Sequence, residues 1–218
     1  MSSTIPPQHN YERMVVFSNR NHNISPNDII NFTIAPSGDN NYFLLNKSHM
    51  TLKLKITGLV NEVDDKFFLN KETLEKFAER VIADYGHVDY LINNAAPLFK
   101  GIEECTYEEF CYALNVGVTA AFYLTKLFKC HFASDACVIN ISSSRDRMSQ
   151  PQSESYTAAK GGIHALTHAL AVSLSGKVRV NSISPGWIDN DYQVYEGPDA
   201  YQQPAGRVGN PMDIANMV

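Results

Sequence analysis

Residues Ala136 to Ile141 form an apolar run broken only by Asn140. A strand apolar on both faces belongs in the middle of a sheet covered on both sides, which is how parallel sheets are built. Three serines, Ser142 to Ser144, end the run. Beyond a polar connection, an alanine-rich stretch from Tyr156 to Ser175 reads as a long helix. The same alternation flanks this unit. Asn70 can cap a helix whose Glu72 suits the positive end, with Leu74, Phe77, Val81 and Ile82 as its apolar stripe and Gly86 at its close. Val88 to Ile92 follows as a short strand. Thr106 with Glu109 forms a capping box for a helix carrying Phe110, Leu114, Ala121, Leu124 and Phe128. Val178 to Ile183 is the next strand, and Pro211 with Asp213 opens another helix. Strands alternating with helices predict an α/β fold, a partial doubly wound, Rossmann-like parallel sheet with strands near 88–92, 136–141 and 178–183.

Residues 1–65 differ in texture. They are rich in asparagine, and their only glycines are Gly38 and Gly58. Apolar runs at Met14 to Phe17, Ile29 to Ile34 and Tyr42 to Leu45 are separated by Pro, Asn, Ser and Gly. Leu52-Lys53-Leu54-Lys55-Ile56 alternates strictly, as a strand with one dry and one wet face does. The expectation is a small β-rich N-terminal segment over 1–65, faintly similar to the opening strands of viral jelly-roll capsid proteins, and an α/β domain over 66–218. An unrelated β-rich or irregular segment is the alternative for the first part.

The net charge of -5 offers no basic field for nucleic acid or an anionic membrane. No stretch has the roughly 18 consecutive apolar residues of a membrane span, and no basic-then-apolar leader opens the sequence, so a cytoplasmic protein is expected. Cys105, Cys111, Cys130 and Cys137 make no Cys-x-x-Cys pair and read as reduced thiols in or near the core. No metal set is evident, since His164 and His168 lie one helical turn apart without further ligands nearby.

The chemistry sits where the strands end. In a doubly wound sheet, ligands bind beyond the carboxyl ends of the strands. Asn93-Asn94, Ser142 to Ser144 and Pro185-Gly186 fall there. On the following helix Tyr156 and Lys160 share a face. A phenol titrates near pH ~10. A neighbouring ammonium favours phenolate, which would let Tyr156 act as acid or base near neutrality. Ser143, thirteen residues earlier, can hold the reacting oxygen from the strand end.

Four segments now stand in order: Leu91-Ile92-Asn93-Asn94-Ala95-Ala96, Leu114-Asn115-Val116-Gly117, Tyr156-x-x-x-Lys160 after Ser143, and Pro185-Gly186-Trp187-Ile188. In this order and spacing they resemble the short-chain dehydrogenase/reductase family, from about residue 72 to 218. The resemblance implies an NAD(P)-dependent oxidoreductase interconverting a carbonyl and an alcohol on a small-molecule substrate. It implies Ser143, Tyr156, Lys160 and Asn115 as the catalytic set, Asn115 through a backbone carbonyl exposed by a helix kink. It implies that Asn94, Ala95, Tyr156, Lys160, Pro185, Gly186 and Ile188 face the cofactor. It also implies a homo-oligomer paired through helices 106–130 and 156–175.

Three departures are visible. Ala96 stands for the family's glycine, and Asn190 for a cofactor-touching threonine. No Thr-Gly-x-x-x-Gly-x-Gly turn precedes residue 70, so the glycines that bring backbone amides to a pyrophosphate are missing, as is the residue that chooses NAD or NADP. The family also continues past the helix begun at Pro211 into a last strand. Two function classes follow: an oxidoreductase with an unusual cofactor site, or a truncated or fused chain that keeps the scaffold without activity.

Overall fold

Strands β6 (Val88–Asn93), β7 (Phe132–Ile141) and β8 (Arg179–Ile183) run parallel, β6 beside β7 and β7 beside β8. This computed structural model describes residues 70–189 and 193–218, preceded by five short strands: β1 (Met14–Phe17), β2 (Asn31–Thr33), β3 (Tyr42–Leu44), β4 (Asn46–Lys47) and β5 (Met50–Thr51). The three parallel strands lie where the apolar runs predicted them. The N-terminal apolar runs are strands at 14–17, 31–33 and 42–44. β2 pairs with β3 and β4 with β5, both antiparallel. β1 joins the main sheet at its edge, antiparallel to β6, with Met14 opposite Asn93 and Phe17 opposite Tyr90. The alternating run at 52–56 and Asn190 lie outside the described residues.

The helices follow their end signals. In α1 (Lys71–Tyr85) the Asn70 side chain accepts the Thr73 N–H, and Gly86, at φ 80°, returns its N–H to Ile82. In α2 (Tyr107–Leu114) Thr106 and Glu109 bond each other's backbone N–H at 3.2 and 3.0 Å. The expected single helix over 106–130 is interrupted. A π turn over Asn115–Thr119 separates α2 from α3 (Ala120–Phe128), and the Ala120 N–H reaches back five residues to the Asn115 carbonyl. Valine, glycine and threonine here are weak helix formers. α4 (Glu154–Ser173) crosses this turn so closely that a Cβ on Gly117 would lie 2.7 Å from the Ala159 Cβ, and one on Gly162 2.8 Å from Val118.

One face of the sheet builds the main core. Leu91, Val138 and Val180 meet Leu74 and Ala78 of α1, Leu124 and Phe128 of α3, and Leu170 of α4. The alternate residues Ile92, Cys137 and Ile139 form a smaller cluster on the other face. Asn140, the polar interruption in β7, is fully buried: it accepts from Asn93 Nδ2 at 2.7 Å and donates to Thr167 Oγ1 at 2.9 Å. The four cysteines are free thiols, and only Cys137 is buried among them. Two short helices, α5 (Pro198–Tyr201) and α6 (Pro211–Ala215), follow β8. Among the described residues no helix is long and apolar enough to cross a membrane.

Gly117→Ala should force α4 and the π turn apart. The expected loss, on the order of 1–3 kcal/mol as for overpacked cores, is read from the urea unfolding midpoint.

Candidate active site

The carboxyl ends of β7 and β8 stay joined past the sheet. Ser142 N–H bonds the Ile183 carbonyl at 2.7 Å, and Ser144 N–H bonds that of Pro185 at 2.8 Å. This places Ser143, extended and buried, where the chain turns outward. Its hydroxyl accepts the Arg145 N–H at 3.2 Å, and it is near enough to the Tyr156 phenol on α4 to pull the phenol's pKa down against the burial that raises it.

α4 is fixed to the end of β7 by a reciprocal pair. Lys160 Nζ donates to the Ile141 carbonyl at 2.7 Å, and Ser142 Oγ donates to the Lys160 carbonyl at 2.9 Å. The Lys160 ammonium lies 5.5 Å from the centre of the Tyr156 ring. Burial pushes it down to about 8. Burial also raises the Tyr156 phenol above its ordinary value, opposed by the Ser143 hydrogen bond and the charge of Arg145. The expected lowering of the phenol by Lys160 is therefore not what this geometry does. The ammonium sits against the ring face and is bonded to a strand-end carbonyl, while Ser143 and Arg145 act on the hydroxyl.

The other predicted positions are placed less tightly. Asn94 is exposed just past β6, and Ala95 behind it is buried. Asn115 opens the π turn against which α4 packs, its carbonyl taking the Ala120 N–H. Pro185 is held by Ser144, Gly186 is exposed, and Ile188 bridges to Gly209. No group of three or more His, Cys, Asp or Glu able to hold a metal occurs among the described residues.

A family model described as enoyl-(acyl carrier protein) reductase matches residues 68–218. The chain belongs to the short-chain dehydrogenase/reductase family. It is 37% identical over 177 residues to an uncharacterized oxidoreductase of Thermotoga maritima, covering 75% of this chain and 67% of that protein. It is 36% identical to the L-fucose dehydrogenase of Mus musculus, over 73% of this chain and 61% of that one. A solved structure of an apo SCOR enzyme from Clostridium thermocellum matches with a TM-score of 0.62 and 44% identity, over 68% of this chain and 61% of that one. The chain thus spans roughly three fifths to two thirds of the length of these relatives.

Several site residues escaped the sequence reading. Phe99 packs on Tyr156 with ring centres 5.1 Å apart. It is held there because buried Ser155 staples the preceding loop to α4: its hydroxyl accepts the Lys100 N–H at 2.9 Å and lies 2.8 Å from the Leu98 carbonyl. Trp187, already singled out in the Pro185–Ile188 segment, packs on Tyr195 with ring centres 4.7 Å apart and planes tilted by 59°. Asp146 accepts from Ser184 Oγ at 2.8 Å and lies within 3.1 Å of His164 Nδ1, a proximity no spacing rule indicated. Arg145 carried a weak signal, its place two residues after Ser143.

The buried ammonium makes a pH prediction. Lys160 titrates near about 8 in the folded chain, against ~10.4 when unfolded. Between those values the unfolded chain holds the extra proton, so stability rises with pH, by at most roughly 3 kcal/mol. Lys160→Met lacks this contribution. Urea unfolding of both proteins at about pH 7.5 and about pH 9.5 should show the wild type gaining on the variant at the higher pH.

Proposed function

We propose that this chain is an NAD(P)-dependent oxidoreductase that interconverts a carbonyl and an alcohol, with Tyr156 as the acid/base, Ser143 holding the reacting oxygen, and Lys160 and Asn115 in support. The observation that carries this reading is the gathering, at the carboxyl edge of a parallel sheet, of buried Ser143 with the Tyr156 ring and the buried Lys160 ammonium 5.5 Å from it. The residues present suit the nicotinamide–ribose end of the cofactor. Lys160 has three N–H donors and spends one on Ile141, so two remain for ribose hydroxyls beside Tyr156. When bound, the nicotinamide supplies or accepts the hydride. The chain's own residues handle the proton: Tyr156 gives it to the carbonyl oxygen in reduction and takes it back in oxidation. Ser143 holds that oxygen within reach of the phenol, and Phe99 covers the ring.

A second reading, an inactive scaffold, is favoured by a specific observation. The sequence before residue 70 has no clustered glycines, and β1 flanks β6 in the antiparallel sense. The two readings separate in one experiment. Titration with NADH and with NADPH, followed by nucleotide fluorescence, tests binding. Turnover is then assayed on a carbonyl and alcohol panel that includes L-fucose. An active chain saturates with one nucleotide, and Tyr156→Phe loses ~10²–10⁴-fold in rate while folding normally. Failure of either nucleotide to bind at millimolar concentration supports the scaffold. An unchanged rate in Tyr156→Phe overturns the assignment of the phenol.

Pairing of two copies through the 106–130 and 156–175 helices is part of this proposal. Phe122 on α3 and Val172 on α4 are apolar and exposed, at 45% and 79%. Light scattering should give twice the monomer mass, and Phe122→Glu should return it to the monomer value.

A further inference from the structure

The catalytic turn carries a cation that the proton chemistry above does not require. Arg145 is half-buried in the short 3₁₀ turn Ser144–Asp146 that follows Ser143. Its own N–H is bonded to the Ser143 hydroxyl, so its backbone is fixed one turn from Ser143. Its guanidinium is steadied by the Gln150 side-chain carbonyl. A guanidinium has five N–H donors, and one such bond leaves most of them free.

No carboxylate pairs with it among the described residues. The neighbouring Asp146 is engaged by other groups. Its side chain is 2% exposed, accepts from Ser184 Oγ at 2.8 Å, and lies 3.1 Å from His164 Nδ1 and 3.8 Å from Arg147 Nε. Glu154, at the start of α4, accepts the Ile102 N–H at 3.1 Å. The contrast with other arginines is plain: Arg207 takes both oxygens of Asp213 at 2.7 Å, and Arg80 takes Asp84. Arg145 is near enough for its charge to act on the Tyr156 phenol. The chain as a whole is acidic, at -5, so its general field does not draw anions. A planar fork of donors on the turn that follows Ser143, close enough for its charge to be felt at the Tyr156 phenol, suits a planar, bidentate anion.

We propose that Arg145 anchors a substrate carboxylate, so that the site takes a short oxo- or hydroxycarboxylate whose reacting carbon lies one or two bonds from the acid group. This rests on the oxidoreductase reading for the reaction, but the binding it asserts needs no turnover. Ser143 and Tyr156 then hold the carbonyl or hydroxyl oxygen while Arg145 holds the acid, which fixes which atom faces the phenol. Phe99, against the Tyr156 ring, bounds the apolar side.

The test is direct binding to the full chain by isothermal titration, using pyruvate and acetoacetate against their uncharged twins, pyruvamide and acetoacetamide. The acids should bind more tightly by at least about tenfold, the scale of charge-assisted hydrogen bonds. Arg145→Gln should abolish that preference and leave amide binding unchanged. Arg145→Lys should keep part of it, and thermal melts verify that both variants fold. Equal affinity for acid and amide, no detectable binding of either acid, or a preference surviving in Arg145→Gln each overturns the proposal. If Arg145 serves only to tune the phenol, Arg145→Gln lowers turnover of charged and neutral substrates alike and binding shows no acid preference. That outcome also overturns it. Acid preference without nucleotide oxidation or reduction would sink the oxidoreductase reading and keep the carboxylate site. Turnover of neutral carbonyls without acid preference would do the reverse.

Discussion

The pair of bonds between Lys160 and the end of β7 is the constraint on which the site depends. The ammonium donates to Ile141, and Ser142 donates back to the Lys160 carbonyl. A buried charge is tolerated only where it is hydrogen-bonded, and this one bonds the strand-end carbonyl of Ile141. The result is a helix pinned at one residue to a strand terminus. Tyr156, one turn earlier, has its distance to Ser143 set by the same pin. The sheet supplies rigidity, the helix carries the phenol, and the two are indexed to each other at a single point.

Much of the scaffold was legible because local and tertiary preferences agree. Caps at Asn70 and Thr106 mark real helix starts, and the apolar runs at 88–92, 136–141 and 178–183 are the parallel strands. The sequence was opaque where a long-range contact decides. The Asn115–Thr119 turn depends on how closely α4 approaches, and that approach is a property of Gly117 and Gly162 together with Ala159 and Val118. Asn140 looked like a flaw in an apolar strand until Asn93 and Thr167 were seen to complete it.

The site divides in the same way. That Ser143, Tyr156 and Lys160 come together was readable because their spacing is fixed by one strand, one turn and one helix. The residues around them were not. Phe99 reaches Tyr156 only because Ser155 holds a loop more than fifty residues away in sequence, at Leu98 and Lys100. The electrostatics of the phenol also depended on three-dimensional detail. Helical spacing suggests that the lysine tunes the tyrosine, whereas the fold turns the ammonium toward the ring and a carbonyl and leaves the hydroxyl to Ser143 and Arg145.

The π turn has a consequence for how one rod serves two partners. An added residue in a helix rotates everything beyond it by about 100° relative to what came before. α2, before the turn, faces α4, while α3, after it, faces α1 and the sheet. The turn therefore acts as a phase shifter, letting a single length of chain address the catalytic helix with one half and the core with the other. A residue deleted there would swing Leu124 and Phe128 out of phase together, a fault of angle that no repacking of volume could absorb.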